Sequence, residues 1–530
     1  MGLSILLRAK QYSHVIKRIL TQNFSPAHST EKKLRKTFIT VLASLSLAAS
    51  LAVGIAPAYA GTCGPCANTA MTLTFSGMPA GGATVFLPLD STLNTIVPNP
   101  NGSNNVYIQW GDSAANLVTG PTASDVPSMT HTYASAGPFT VTVTEANTAS
   151  LLGFGIGPTN AGWGSTYGST HTNWTGAQYL TSVGSWSGFT NLNGAFYGAS
   201  TLVSVPISLP SATVTDLAFA FYGDSIFNSG NVTGWTTSSV TNMSSMFQNA
   251  TAFNQNISSW NTVAATNMSS MFQNAINFND NSVAMNTSGP SWKTSLVTNM
   301  ASMFQGANHF NQNINLWDTH VVTDLSSMFQ GATAFNDGGS ANALSTVSSV
   351  WNVGAVTTFA NMFNGDTALN VVVNNWAPTV TTTMASMFQG ASSFNQNITS
   401  WDTHLVTNMS SMFQGATAFN NLGVALTRSA NFWNTGAVTT MVSMFAGATG
   451  FNQSINNWNT VAVTNMTSMF DGATIFNQDL SLWDVHTVAN MQYIFRSSAE
   501  NANLAAWNVT GIAGTSNGLN LWLAQPNNRR

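Results

Sequence analysis

The amino-acid sequence predicts a repeat solenoid built from short helices and short parallel strands, preceded by an all-β module. A Met-Phe step recurs from residue 246 onward, a Trp follows it in each unit, and strand-like alternation is confined to the first 145 residues. Trp stands at positions 235, 260, 292, 317, 351, 376, 401, 433, 458, 483 and 507, so that most units are 25 residues long and the others carry insertions. A fixed period in the twenties is typical of proteins whose units bury their apolar faces against neighbouring units.

The first half of a unit has the spacing of a helix. In the unit that begins at Val240, apolar residues follow at Met243, Met246 and Phe247, at steps of three and four. Thr241 or Asn242 would act as the N-cap. A Gly or Asn stands two residues after most of the repeated Phe residues, and both residue types tolerate the left-handed conformation that ends a helix. The pattern therefore predicts a helix of about two turns.

The second half of the unit, residues 253–260, shows no helical spacing and predicts an extended run with a short strand that pairs in parallel with the next unit. An Asn follows the Phe in nearly every unit, and we expect it to satisfy backbone groups of the adjacent unit. The repeated Met, Phe and Trp residues are predicted to form the core, since burying an aromatic side chain removes roughly 150–250 Å² from water. An exposed aromatic binding ladder is the alternative.

The N-terminus has the features of a secretory signal peptide. Basic residues at 32–36 precede an apolar run at 38–56, and Ala-Tyr-Ala closes it at 58–60. This arrangement predicts cleavage after Ala60 and a secreted or cell-surface protein. A permanent membrane anchor is the alternative. No later run of 18 apolar residues follows, so we expect no stable membrane span after cleavage.

The charge balance excludes nucleic acid as a partner. The chain has 13 Lys and Arg and 17 Asp and Glu, and residues 1–60 hold eight of the former and one of the latter, which leaves 5 − 16 = −11. Nucleic-acid binding requires clustered positive charge. Only 6% of residues are charged, but 44% are hydrophobic, and their fixed period favours a packed chain over a disordered one.

Cys63 and Cys66 are the two cysteines, in a Cys-Gly-Pro-Cys sequence just after the predicted cleavage site. That tetrapeptide also occurs at the redox site of thioredoxin, where a preceding strand and a following helix lower the thiol pKa. Neither element is predicted here. A small disulfide loop in an oxidising compartment is the preferred interpretation. Lipid attachment at Cys63 is disfavoured by Thr62, where a small residue is required.

Residues 61–145 are predicted to be all β. Alternating apolar residues predict strands at 71–75, 106–110 and 139–143. Trp-Gly-Asp at 110–112 and His-Thr-Tyr at 131–133 together resemble the polycystic-kidney-disease-like, immunoglobulin-like β-sandwiches of secreted bacterial proteins, although Ser113 departs from the usual Gly. Asp112 and His131 could be an acid–base pair, but a turn-capping Asp is the preferred interpretation.

Residues 146–182 are predicted to be a linker or N-terminal cap, 183–510 to hold about twelve repeats, and 511–530 to be a C-terminal cap or tail. The repeat VTNMSSMFQGAT at 406–417, with its Phe-Asn-Gln and Trp-Asp-Thr continuations, resembles that of the BspA-like leucine-rich repeat surface proteins, a mycoplasma-type repeat family of unknown function. The resemblance implies a leucine-rich-repeat-like fold and a secreted or surface-displayed bacterial protein, an adhesin in some relatives. It implies no catalytic residues and no cofactor.

The residues offer little enzymatic chemistry. Three Asp-x-His pairs share one position after the Trp: Asp318/His320, Asp402/His404 and Asp484/His486. At the spacing of parallel strands, pairs three units apart are separated by about 14 Å, so they cannot share one metal ion. A single pair could hold only a weakly bound ion. The remaining acidic residues are scattered, and no phosphate-binding loop, nucleophile elbow or zinc spacing is present. We therefore predict a protein that is not an enzyme.

The insertions are the best candidate for a binding site. They fall between Phe-Asn and Trp at 280–291, 337–350 and 421–432, and loops that leave one edge of a repeat stack are common partner contacts. The candidate binding residues are Asn281, Lys293, Asn342, Arg428 and Asn431. The predicted function is adhesion or protein–protein interaction at the cell surface. The alternative is a carbohydrate-binding protein, or an accessory module of a secreted polysaccharide-active system, with Trp163 and Trp174 as exposed ligand contacts.

Overall fold

The computed structural model describes residues 68–90, 105–119, 129–145, 153–155, 174–283, 285, 291–339, 344, 351–427, 432–499, 504 and 507. All of them belong to one unit of the chain, Cys63–Arg530. The predicted signal peptide, the two cysteines and the predicted C-terminal tail lie outside the described residues. Within these ranges, no helix has the length and apolar character needed to cross a membrane.

The N-terminal part contains antiparallel strands. They are β1 (Asn68–Phe75), β2 (Thr84–Phe86), β3 (Leu89–Asp90), β4 (Asn105–Gln109), β5 (Ala115–Thr119), β6 (Thr130–Thr132), β7 (Phe139–Glu145), β8 (Gly153–Phe154) and β9 (Leu180–Trp186). One five-stranded sheet has the order β5-β4-β7-β1-β9, and two separate pairs are formed by β2 with β6 and by β3 with β8. In β1 the buried residues Met71, Leu73 and Phe75 alternate with threonines, which places one face of the sheet on the core.

The three strands predicted from alternation are present within β1, β4 and β7, but the predicted immunoglobulin-like sandwich is wrong. These strands are neighbours in a single antiparallel sheet instead of being shared between two facing sheets. The sheet also continues through β9, because Met71 pairs with Trp186 and Leu73 with Val183. Ser182 of β9 in turn pairs in parallel with Ser204, so the sheet is hydrogen-bonded to the first repeat.

The predicted short helices are also absent. The helical segments of the described residues are short 3-10 turns at Ala177–Tyr179, Gly230–Gly234, Asp280–Ser282, Asp337–Gly339 and Asn421–Gly423. In the repeat, every second backbone N–H group donates to a carbonyl of the next unit, as the N–H of Met243 does to the carbonyl of Asn267 at 3.0 Å. The N–H groups between them close turns within the unit, as the N–H of Met246 does to the carbonyl of Met243 at 3.3 Å. Ser245 has a φ of 55°, which a right-handed helix excludes. A series of consecutive turns thus places on one side of the chain the same apolar residues that a helix would place there.

The predicted parallel strands at 253–260 are wrong as well. Successive units are joined by isolated parallel bridges at a different position, such as Asn242 to Asn267 and Asn267 to Asn299. The fold-class prediction of a solenoid with helices and parallel strands is therefore corrected to stacked coils of turns. The reason is that four backbone N–H groups of the turn segment in each unit already donate hydrogen bonds to the next coil. These bonds join the coils without a strand ladder at 253–260.

The core prediction for the repeated Met, Phe and Trp residues is confirmed. Met246, Phe247 and Trp260 are fully buried, and their counterparts in the other coils are buried as well. The Trp rings stack between coils whose Trp residues are not separated by an insertion, and the centroids of Trp235 and Trp260 are 6.3 Å apart with their planes within 4°. The indole Nε1 of Trp260 donates to the carbonyl of Val232 at 3.0 Å, so its polar atom is satisfied inside the core. The alternative of an exposed aromatic ladder is excluded for these residues.

Candidate binding site on the inserted turns

Three insertions leave the stack at equivalent positions, directly after the Phe-Asn pair. Their first residues form the turns Asp280–Ser282, Asp337–Gly339 and Asn421–Gly423. All nine of these residues have left-handed backbone angles, with φ between 47° and 78°. We refer to Asp280–Val283, Asp337–Gly339 and Asn421–Val424 together as the insertion edge.

The turns are fixed by an Asn of the preceding coil. Oδ1 of Asn254 accepts the backbone N–H groups of Asn279 and Asn281, both at 2.9 Å. Asn311 and Asn395 hold the second and third turns in the same way. In a coil without an insertion, the second donor is a side chain instead, as when Nε2 of Gln396 donates to Oδ1 of Asn370 at 2.8 Å. In the inserted turn, a backbone amide therefore replaces the glutamine amide as the second donor. The expectation that these Asn residues satisfy backbone groups of the adjacent unit is confirmed.

Each insertion also returns to the core. Met285, Leu344 and Leu426 are fully buried and take the place of the Ile of other units. The indole Nε1 of the Trp in the next coil donates to the carbonyl of each of these three residues, as that of Trp376 does to Leu344 at 3.0 Å. Each insertion is thus held by the stack at its first residue and again at this buried apolar residue.

The residue at the base of each insertion is a buried polar side chain. Asp280, Asp337 and Asn421 have no exposed surface, and Oδ1 of each accepts the N–H of an Ile in the preceding coil, at 2.6, 2.7 and 2.8 Å. Burial raises the pKa of Asp280 and of Asp337 to about 7, and the amides of Ile257 and Ile314 lower it in part.

Sequence reasoning located the insertions but missed these three residues. A signal for them is present in the sequence. The residue after Phe-Asn is Gln in most units without an insertion, and it is Asp or Asn where an insertion follows.

Two of the candidate binding residues lie among the described residues. Asn281 is on the insertion edge with an exposed side chain. Lys293 is exposed as well, but it follows the insertion, and its carbonyl accepts Oγ1 of Thr262 at 2.8 Å. The other candidates, Asn342, Arg428 and Asn431, lie outside the described residues, as do Cys63 and Cys66.

The insertion edge exposes apolar side chains in its third turn. Leu422 is 56% exposed, Val424 43% and Phe432, at the end of the same insertion, 42%. Leu422 also has a φ of 54°, where the first and second turns have Asn281 and Gly338. Because Leu422 is exposed, its side chain contributes little burial energy to folding, and the left-handed conformation is unfavourable for Leu.

The Trp residues considered for carbohydrate binding do not form an exposed pair. Trp174 is fully buried, and its Nε1 donates to the carbonyl of Ala195 at 3.1 Å. The expectation that it is an exposed ligand contact is therefore wrong. Trp163 lies outside the described residues.

The Asp-x-His pairs are local turn structures. His320 Nδ1 lies 2.8 Å from Asp318 Oδ1, and the same oxygen accepts the backbone N–H of His320 at 3.2 Å. The pairs at 402/404 and 484/486 repeat this geometry. Among the described residues, no group of three or more His, Cys, Asp or Glu side chains is arranged to hold a metal ion.

Asp112 and His131 are close to each other in the N-terminal part. Asp112 Oδ2 lies 2.7 Å from His131 Nε2, and its Oδ1 accepts the N–H of Ala114 at 3.1 Å. Although burial raises the pKa of Asp112, the hydrogen bonds to His131 and Ala114 lower it overall. Asp112 thus caps the turn, as preferred from the sequence, and also pairs with the imidazole. The imidazole stacks on Trp110 at 5.1 Å, so the pair is held rigidly against the core.

The repeats match a known family. The model of the family described as "Mycoplasma protein of unknown function, DUF285" matches residues 190–291, 281–350, 338–425 and 424–521. No curated protein and no solved structure matches the chain.

Proposed function

Since the chain belongs to the DUF285 family of mycoplasma-type repeat proteins of unknown function, we propose that it is a non-enzymatic binding protein, secreted or displayed at the cell surface, that contacts its partner through the insertion edge. The more specific relationship to BspA-like surface proteins, with adhesion as the biological role, is part of this proposal.

The observation that carries the proposal is the exposure of Leu422 beside Val424 and Phe432. Scattered exposed apolar residues are common, but three in one insertion are a concentration of the kind found at interaction surfaces. Leu422 also occupies a left-handed position at a cost of roughly 1–2 kcal/mol.

The geometry of the anchors favours binding over catalysis. Asn395 fixes the turn at its start and buried Leu426 fixes its return, so Leu422 and Val424, which lie between them, are already held in place before a partner binds. Preorganisation of this kind improves affinity because little entropy remains to be lost on binding. The buried carboxyl groups of Asp280 and Asp337 are inaccessible to a substrate.

A substitution experiment tests the proposal better than deletion of the loop, because deletion would remove the buried anchors Asn421 and Leu426. The test variant is Leu422→Asn, Val424→Thr and Phe432→Ser combined. Asn suits the left-handed position, as Asn281 shows in the first turn. The control variant replaces exposed apolar residues elsewhere on the stack, Val263→Thr, Leu405→Thr and Val461→Thr.

Both variants and the unaltered protein are applied to a panel of immobilised extracellular-matrix proteins and to a glycan array. We expect at least tenfold weaker binding to a matrix protein for the test variant only, with an unchanged melting temperature. Equal loss in both variants, or no loss in either, would contradict a role of the insertion edge. Binding to glycans alone, unaffected by the test variant, would favour the carbohydrate-binding alternative.

A further inference from the structure

The three inserted turns share one anchor geometry but differ in the chemistry of the anchoring side chain. Oδ1 of Asp280, Asp337 and Asn421 accepts the same Ile amide in each case. The turn is closed by the same backbone hydrogen bond in the first and third insertions, from Val283 to Asp280 and from Val424 to Asn421, each at 3.0 Å. The chain thus contains an acid and an amide in equivalent surroundings.

The second polar atom of the side chain distinguishes them. Nδ2 of Asn421 donates to the carbonyl of Val424 at 2.7 Å. Oδ2 of Asp280 and Oδ2 of Asp337 are buried and have no hydrogen-bond partner within the described part of the chain. Asp280 has a carboxyl oxygen where Asn421 has its amide nitrogen, and Val283 is the counterpart of Val424. An ionised carboxylate there would set two acceptors side by side, whereas a protonated one would supply the missing donor.

We infer that Asp280 and Asp337 each bind a proton in the folded protein, and that this proton fastens the first and second inserted turns to the stack, while Asn421 fastens the third turn independently of pH. The inference does not depend on what the insertion edge binds.

The electrostatic surroundings support this assignment. Burial is the main cause that raises the pKa of each carboxyl group to about 7, and the Ile amide on the preceding coil is the opposing influence. No ionisable side chain among the described residues contributes to either shift, so neither carboxylate has a cation that would stabilise its charge.

The direction of the pH effect follows from proton linkage. A solvated Asp ionises near pH 3.9, so between about pH 4 and pH 7 the closed turn holds a proton that the opened turn has lost. Opening therefore becomes more favourable as pH rises through this range, by up to tenfold per pH unit for each carboxyl. Above pH 7 the buried carboxyl itself ionises, and the closed turn loses its donor.

Amide hydrogen exchange of the full chain between pH 5 and pH 8, corrected for the intrinsic rate, tests the inference. The amides to follow are Ser282 and Val283 in the first turn, Gly339 in the second, and Gly423 and Val424 in the third. We expect protection in the first two turns to fall at least tenfold between pH 5 and pH 7, with the third turn unchanged.

Two variants identify the responsible groups. Combined Asp280→Asn and Asp337→Asn should abolish the pH dependence and still fold, because Asn already occupies the equivalent position in the third turn. Asn421→Asp should confer the dependence on the third turn. Persistence of the dependence in the double variant, or a third turn that stays pH-independent in Asn421→Asp, would overturn the inference. Loss of protection on addition of a chelator would overturn it as well, since the bound species would then be a metal ion.

Discussion

Oδ1 of Asn254 accepts the backbone N–H of Asn279 in the next coil, at 2.9 Å. The same bond is repeated from coil to coil, for example from Asn311 to Asn279 and from Asn395 to Asn370. An Asn column therefore performs the coil-to-coil pairing that a strand ladder was predicted to perform.

We expect Asn311→Ala to destabilise the stack strongly. Oδ1 of Asn311 accepts two amides, those of Asn336 at 2.8 Å and of Gly338 at 2.9 Å, and Ala leaves both without that acceptor. Losing the acceptor of the partly buried Asn336 amide costs roughly 1–3 kcal/mol, and the exposed Gly338 amide adds less because water can replace its acceptor. Urea unfolding followed by Trp fluorescence measures the change.

The control for this prediction is Thr367→Ala. Oγ1 of Thr367 also bonds to the preceding coil, donating to Thr333 at 3.4 Å, but it is exposed and water can replace it. A loss of unfolding free energy for Asn311→Ala no larger than that for Thr367→Ala would show that the Asn column is not a main source of cohesion.

We expect Asp366→Ala to stabilise the protein at pH 7. Asp366 is fully buried at the position that Ala332 and Ala391 occupy in the neighbouring coils, and burial raises its pKa well above the usual value. Ala fits that site and removes the cost of a buried carboxyl. Because an unfolded Asp ionises near pH 3.9 and the folded one only at higher pH, the cost grows as pH rises above 4.

The stabilisation by Asp366→Ala should therefore be larger at pH 7 than at pH 4. Melting temperatures at the two pH values measure it, with Asp402→Ala, at an aspartate whose side chain is 25% exposed, as the control. Equal melting temperatures for Asp366→Ala and the unaltered protein at both pH values would mean that the carboxyl group finds compensation in the fold.

The sequence allowed the core to be predicted residue by residue, because Met246, Phe247 and Trp260 recur at a fixed interval and burial of such residues depends only on that interval. It did not allow the backbone to be predicted. The spacing of three and four fits a helix and a series of turns equally well, and the deciding residue, Ser245 with its left-handed φ, carries no sequence signal such as Gly.

The positions of the insertions were visible in the sequence, but the way in which the stack anchors them was not. The extra length of three units pointed to the insertion edge, since length is visible in the sequence. The anchoring role of Asp280 was not visible in the sequence, because a lone acidic residue in a loop ordinarily faces solvent. Its burial becomes visible only when the coil that supplies the amide of Ile257 is placed beside it.

Glycine substitutions provide a third test, of the turn that ends the first half of each unit. Gly390 has a φ of 70°, and a Cβ added there would meet the Cα of Gly365 at an ordinary 3.7 Å. The cost of Gly390→Ala is therefore only that of the left-handed conformation, about 1–2 kcal/mol. Gly390→Asn should cost less, since Asn249 and Asn274 occupy the equivalent position with φ of 62° and 57°.

Gly450→Ala should cost more than either substitution at Gly390. Its added Cβ would lie 2.6 Å from the carbonyl oxygen of Thr417, a backbone atom of the preceding coil that cannot move without shifting that coil. Unfolding free energies should fall in the order Gly390→Asn, Gly390→Ala, Gly450→Ala. If Gly390→Ala were the most destabilising of the three, the coils would be spaced more closely at Gly390 than at Gly450, contrary to the contacts described.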